Sequence, residues 1–431
     1  LDDSIRTARN VAEERVRRTR GVGRLRAAAG ALALALGAFT ALAGCGDGGS
    51  GGGAGADGAG GQVSTARLTV APGDEAAQVP TTGAVRVSVA GGKLTEVKLV
   101  DDSDSTASAP VTVPGTLTDG GTLWRPAGRL RASTRYSLDA VAVDPDGRQA
   151  AKHADFTTVV PTDTFIGFYT PDAGTTVGVG MEVSLRFSRE IADRAAVQQG
   201  VRVTASPPVP VVGHWFGDQR LDFRPRQFWK PGTKVTLHLD LRGVEGAPGV
   251  YGTQHKDVTF TVGRRQVSTV STVTDTMTVY RDGTVLRTLP ISAGQPGHST
   301  YDGIMVVTDM FPVTRMNSAT VGLGSEYDIP DVPHAMRLTD SGTFVHGNWW
   351  RPVSTFGAYN TSHGCIGLHD VRGGSSDTPA GWLYDHTLPG DVFEVSGSPG
   401  GTVAPDNGLN GWNMSWAQWI AGSAVPVPAG A

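Results

Sequence analysis

The chain has 431 residues but only two cysteines, Cys45 and Cys365. One bridge between them would tie a leader-like segment to the far C-terminal part, so a disulfide framework is not expected. Each cysteine is read as a free thiol with its own job. An excess of one charge is also missing. Lys and Arg number 37 against 41 Asp and Glu, a formal net charge of −4. That balance leaves no basic footprint for nucleic acid. Long apolar runs are scarce; the clearest, Ala27 to Ala43, is marginal for a membrane-spanning helix. Hydrophobic residues at 39% and charged residues at 18% suit a globular chain of two to four domains.

The apolar run has a context. Arg15, Arg17, Arg18, Arg20, Arg24 and Arg26 precede it, and Leu42-Ala43-Gly44-Cys45 closes it. A basic flank, a short apolar stretch and small residues form the secretory pattern. The last four residues resemble the lipobox of bacterial lipoproteins. That resemblance implies lipidation of the Cys45 sulfur, cleavage before it and anchoring to the outer face of the cell membrane. A plain signal peptide or signal anchor with an incidental cysteine is the alternative. Residues 1–45 are thus read as a signal peptide with lipobox. Residues 46–66 are read as a tether, because their Gly, Ala, Ser and Asp bury too little apolar surface to order themselves.

From Arg67 to Val262 the pattern is period two. Val85, Val87 and Val89 alternate with other residues, as do Tyr136, Leu138, Ala140 and Ala142. Val183, Leu185 and Phe187 repeat the pattern, followed by Val235, Leu237, Leu239 and Leu241. Such alternation marks strands with one buried face. An internal repeat overlies it. Trp124-Arg125-Pro126 precedes Tyr136 as Phe223-Arg224-Pro225 precedes Val235, with ten positions from Pro to strand residue in each copy. Two tandem immunoglobulin-like β-sandwiches follow, at 67–160 and 161–264. Their expected role is to space, orient or dock the next domain.

A third β-rich unit is expected at 265–397. Arg281-Asp282-Gly283-Thr284 marks a hairpin within it. A short helix is expected over Ala380 to Asp385, and a strand at Val392 to Val395. In the tail at 398–431, Trp412, Trp416 and Trp419 have the spacing of one helix face. They are expected to pack back onto the third unit; stacking on carbohydrate is the alternative. The fold class is therefore mainly β, with short helices and a Trp-rich C-terminal helix.

Chemistry concentrates in two stretches, Val345-His346-Gly347-Asn348 and Thr361-Ser362-His363-Gly364-Cys365-Ile366-Gly367. A thiol nucleophile needs a base or positive charge to favour its thiolate, and a group to orient that base. It also needs N–H donors for the developing oxyanion. His346 follows an apolar strand, His363 lies two residues before the thiol, and Gly364 leaves the adjoining backbone unshielded. A buried structural cysteine explains neither the two histidines nor the glycine. A zinc site of His346, His363, Cys365 and His369 is a weaker alternative, lacking a second thiol.

This pattern resembles the L,D-transpeptidase family with its YkuD-type catalytic domain. The family motif is a His, a gap of about fifteen residues, then Ser or Thr and His-Gly-Cys. Here fifteen residues separate His346 from Ser362. Ser341-Gly342-Thr343-Phe344-Val345-His346 resembles the strand entering the site, and Pro389-Gly390-Asp391-Val392 the closing strand. The resemblance implies Cys365 as nucleophile, His346 as base and the Gly347 carbonyl as its orienting group. It implies His363, Gly364 and Cys365 as the oxyanion turn, with Ser362 beside it. Ser341 and Gly342 match positions touching the donor peptide, and Tyr327 falls in the active-site lid. The family usually carries Asn or Arg two residues after the cysteine; this chain has Gly367.

The implied reaction is acyl transfer between peptidoglycan stem peptides, a tetrapeptide donor and a diamino-acid acceptor. It gives a 3→3 cross-link with release of D-Ala. It calls for no cofactor and no metal, and carbapenems are expected to acylate the thiol. L,D-carboxypeptidase action, ligation of a protein to the wall and an inactive wall-binding lipoprotein are the competing readings.

Overall fold

The computed structural model describes residues 63–102, 111–322, 324–428 and 430. The leader, Cys45 and the tether through residue 62 lie outside the described residues.

The described chain is a succession of β-sheets with three α-helices of six or seven residues among the described residues. The period-two segments are the strands. Arg135–Val143 buries every second side chain, and Tyr136, Leu138, Ala140 and Ala142 are each at most 1% exposed. It is central in a five-stranded sheet, which faces a four-stranded sheet across a core of Trp124, Leu99, Leu138 and Phe156. The next unit is built alike. A sheet containing Val183–Phe187 and Arg220–Arg224 packs on one containing Lys234–Asp240 and His255–Val262, and a small three-stranded sheet joins them.

That second core does not stop at Val262. Val267, Val306 and Val392 of the following unit belong to the same buried cluster as Met181, Leu185 and Trp229. The backbone crosses closely here, with the Gly178 N–H donating to Pro389 O at 2.7 Å and Gly180 N–H to Gly390 O at 2.9 Å. A Cβ on Gly178 would come within 2.3 Å of the Asp391 nitrogen, so the approach requires glycine. The Arg264 guanidinium meets buried Asp391 at 2.8 Å beside this seam. The second sandwich is thus docked on its neighbour through a shared apolar core.

The C-terminal unit contains two further sheets. Five strands run in the order Thr284–Pro290, Thr276–Arg281, Gln266–Ser271, Val392–Ser396, Gly303–Val306. Asp282 at φ +50° and Gly283 at φ +84° make the tight hairpin turn. Four strands form the other sheet, in the order Asp309–Asn317, Asp328–Arg337, Phe344–Asn348, Ile366–His369. Val270, Met305, Met336, Val345, Ile366 and Phe393 fill the space between. The helix spans Pro379–Asp385, capped by the Thr378 side chain.

The tryptophan tail departs from expectation. Trp412 lies in a 3-10 turn, Gly411–Asn413, whereas Trp416 and Trp419 share the helix Trp416–Ala421. Extended backbone at Met414 and a capping box between Ser415 and Gln418 separate the two elements, so no single helix face carries all three. Their ring contacts are with the second sandwich, although Trp412 also packs on the shared core that includes Val267, Val306 and Val392. Trp419 stacks on His214 at 4.9 Å and donates its indole N–H to Val212 O. Trp412 sits 4.6 Å from the Phe228 ring, and its indole donates to Gly180 O. The three rings converge on one guanidinium: Arg224 lies 4.6, 5.4 and 4.3 Å from Trp412, Trp416 and Trp419. Cation–π attraction holds the tail to the second sandwich. Residues on either side of Trp412 hold the third unit, Asn410 and Asn413 accepting from the Val306 and Ile304 amides.

Candidate active site

Strand alternation assembles the site. Val345, Ile366 and Leu368 point into the core and are fully buried. Side chains one position away face the other side. His346 and Asn348 on one strand therefore share a face with Cys365 and Gly367 beside the other. Parallel register sets His346 against Gly367, so Cys365 is its diagonal neighbour. His346, Asn348, Tyr327, Ser362, His363 and Cys365 line one cleft of about 230 Å³.

His346 is buried, and its Nδ1 lies 2.9 Å from the carbonyl oxygen of Gly347. A carbonyl only accepts, so Nδ1 carries the proton and Nε2 is left as the basic nitrogen. Gly347 must be glycine, because a Cβ there would come within 2.2 Å of Asp370 Oδ2. Asp370 is itself fixed. It accepts from His334 Nδ1 at 2.7 Å, the Val371 amide at 2.8 Å and Thr378 Oγ1 at 3.0 Å. His334, unassigned from sequence, belongs to this support behind His346.

The turn before Cys365 is closed by Ser362. Its hydroxyl donates to Cys365 O at 2.6 Å and accepts the Gly364 amide at 3.1 Å. The Gly364 N–H, expected among the donors of the oxyanion turn, is engaged by Ser362 Oγ here. Among the described residues, the His363 and Cys365 amides have no such acceptor. Ser362 likewise shapes the turn instead of presenting a free hydroxyl to a ligand. Gly364 at φ +112° is the one residue type suited to the bend. The Ser341 hydroxyl accepts from Asn407 Nδ2 at 2.9 Å, and its neighbour Gly342 accepts from the thiol, Sγ to O at 3.6 Å.

The family comparisons agree with this architecture. The bacterial Ig domain family matches residues 76–245, and the L,D-transpeptidase catalytic domain family matches residues 265–395. L,D-transpeptidase 2 of Mycobacterium tuberculosis (strain CDC 1551 / Oshkosh) is 34% identical over 363 residues, covering 83% of this chain and 85% of that protein. The chain belongs to the L,D-transpeptidase family. L,D-transpeptidase 5 of Mycobacterium tuberculosis (strain ATCC 25618 / H37Rv) is 32% identical over 373 residues, covering 84% of this chain and 78% of its own. A solved structure of LD transpeptidase LdtMt1 in complex with imipenem is 29% identical, with a TM-score of 0.45 over 55% of this chain and 100% of that one.

The electrostatics of this L,D-transpeptidase differ from the sequence expectation of a thiol with a lowered pKa. Cys365 keeps some surface open to the cleft, yet the packed surroundings push its thiol up to about 11. Burial is the main cause; the Phe344 amide and the charge of Arg337 oppose it. Burial also lowers the pKa of His346, against the Gly347 carbonyl and the charge of Asp370. The resting pair is a neutral thiol beside a neutral imidazole. Tyr327 lies 5.0 Å from the His363 ring, its phenol held protonated by burial and by the proximity of Cys365 and Glu326.

Several cleft residues were not singled out from sequence. Asn348 fixes the following bend, its Oδ1 accepting the Trp350 and Arg351 amides at 3.2 and 3.1 Å. Its Nδ2 lies 3.7 Å from where a Cβ on Gly367 would be, so a side-chain amide already stands beside the position the family fills with Asn or Arg. Trp350 stacks on His346 at 5.7 Å and 12°. The Asn348 signal was present, since it shares strand parity with His346; Glu326 comes from a separate loop and left none.

Proposed function

We propose that this enzyme forms 3→3 peptidoglycan cross-links by two-step acyl transfer through Cys365. The observation that carries the proposal is one cleft holding Cys365 beside His346, whose Nδ1 is engaged by Gly347 O. His346 Nε2 takes the thiol proton as Sγ attacks the carbonyl of the third residue of a tetrapeptide stem. Concerted transfer suits this pair, because neither group is ionised at rest. The Cys365 amide, with that of His363, is suited to the oxyanion. Collapse breaks the peptide bond. His346 returns the proton to the departing D-Ala amine and a thioester remains. The side-chain amine of a second stem then attacks, the S–C bond breaks, and the thiol is re-formed.

Gly342, through its carbonyl on Sγ, is assigned to thiol orientation, and Tyr327 to the lid over the donor. The Leu42–Cys45 lipobox supports a lipid-anchored enzyme facing the wall, with the β-sandwiches holding the catalytic domain off the membrane. Carbapenems would acylate the same sulfur.

Incubation with disaccharide-tetrapeptide, read by mass spectrometry beside Cys365→Ala, tests the reaction. Dimers joined through two third-position residues and absent in the variant are expected. Tripeptide alone would mean carboxypeptidase action. No thiol-dependent product from folded enzyme would sink the enzymatic proposal.

A further inference from the structure

A second cluster stands at the rim of the cleft. Three loops bring together His298, Glu326 and His363, whose ligand atoms all lie within 4.8 Å of one another. His363 Nε2 is 3.2 Å and His298 Nε2 is 3.6 Å from the same carboxylate oxygen, Glu326 Oε2. The two imidazoles meet edge to face at 4.8 Å. Zinc bonds to His nitrogen and carboxylate oxygen at about 2.0–2.2 Å, so neighbouring donors of a tetrahedral site stand roughly 3.3–3.6 Å apart. The two measured edges are close to that spacing. Two imidazoles and one carboxylate also form a borderline-soft set, suited to zinc-like ions and poorly suited to magnesium or calcium.

We propose that His298, Glu326 and His363 form a binding site for a divalent zinc-like cation, and that its occupation shuts the catalytic cleft. The two His–Glu ion pairs account for these contacts without a metal, at partly exposed positions where such pairs contribute little. They do not call for both Nε2 atoms to converge on one carboxylate oxygen, as they do here at 3.2 and 3.6 Å. A divalent ion gives all three ligand atoms one common partner.

The consequence follows from the chain. His363 is two residues from Cys365, and Glu326 precedes Tyr327, which lines the cleft. A cation held by both ties the Tyr327 segment to the nucleophile turn and obstructs entry of the donor stem. This inhibitory part rests on the transpeptidase proposal; the binding part does not.

The test uses the full chain carrying Cys365→Ala and Cys45→Ala, so that neither thiol can hold metal. Equilibrium dialysis against zinc should give one bound ion per chain, with affinity weakened at least tenfold by adding either His298→Gln or Glu326→Gln. Binding below one equivalent at micromolar zinc, or undiminished binding in both triple variants, would overturn the site. In the enzyme with its cysteine, zinc should inhibit turnover, and His298→Gln should retain basal activity and require at least tenfold more zinc. Equal inhibition of both would place the ion on the thiol and overturn the inhibitory role.

Discussion

His346 Nδ1 lies 2.9 Å from the carbonyl oxygen of its own successor, Gly347, and Asp370 fills the space a side chain at Gly347 would need. The His346 ring is thus oriented by backbone, and the backbone is held by a buried carboxylate with His334 and Thr378 behind it.

Gly347→Ala should damage stability and turnover together. Its Cβ would press on Asp370 Oδ2 at 2.2 Å, and overpacking of this kind costs about 1–3 kcal/mol. Thermal melting should fall by several degrees. Turnover should drop more than stability explains, because the carbonyl that sets the His346 tautomer shifts. Unchanged kcat would remove Gly347 from the orienting role.

Cross-linking should keep its rate below the pH at which an ordinary histidine protonates. The proposed mechanism needs neutral His346. Burial lowers that pKa, so the neutral form persists to lower pH and is lost only on further acidification. Alkylation of Cys365 by iodoacetamide should show the opposite limb. With the thiol pushed up to about 11, its rate should still be rising at pH 10. A plateau near pH 8.5 would show an unperturbed thiol.

Gly367 should accept a side chain. It lacks a positive φ, and a Cβ would make ordinary contacts at 3.6 Å with Ser292 O and 3.7 Å with Asn348 Nδ2. Gly367→Asn should fold with stability changed by less than about 1 kcal/mol. Asn348→Ala, by releasing the Trp350 and Arg351 amides, should raise KM severalfold. A large loss of melting temperature in Gly367→Asn would contradict the open space.

Glu182 should make the fold less stable as pH rises. It is buried beside Asp222, Arg220 and Arg224, next to Gly411, without a well-formed hydrogen bond. Desolvation, then the charge of Asp222, raises its pKa well above the usual carboxylate range. The folded state therefore holds a proton that the unfolded state has released. Stability is greatest below the unfolded pKa and declines as pH rises toward the folded one. Glu182→Gln should melt a few degrees higher than the parent at pH 8, about 1–2 kcal/mol, and equally at pH 4. Equal melting at both pH values would contradict a protonated Glu182.

What sequence made legible was local. Tyr136, Leu138, Ala140 and Ala142 are buried because a period-two pattern states which face turns inward. Cys365 and His346 were legible because glycine and histidine crowd a short stretch around the thiol. Tertiary packing overrode the rest. Trp412 and Trp416 stand four apart, yet the Ser415 cap begins a new element between them. The raised thiol pKa depends on what surrounds Sγ, and no local spacing reports that. His298 and Glu326 meet His363 only through three loops distant in sequence.

The most direct measurement is the intact mass of the enzyme quenched soon after mixing with disaccharide-tetrapeptide. The expected result is an adduct equal to the donor acyl group without D-Ala, mapped to the peptide containing Cys365. It should be absent in Cys365→Ala and reduced at least a hundredfold in rate of formation in His346→Ala. Release of D-Ala at the parent rate from Cys365→Ala, or an adduct on any other residue, would contradict thioester catalysis at Cys365.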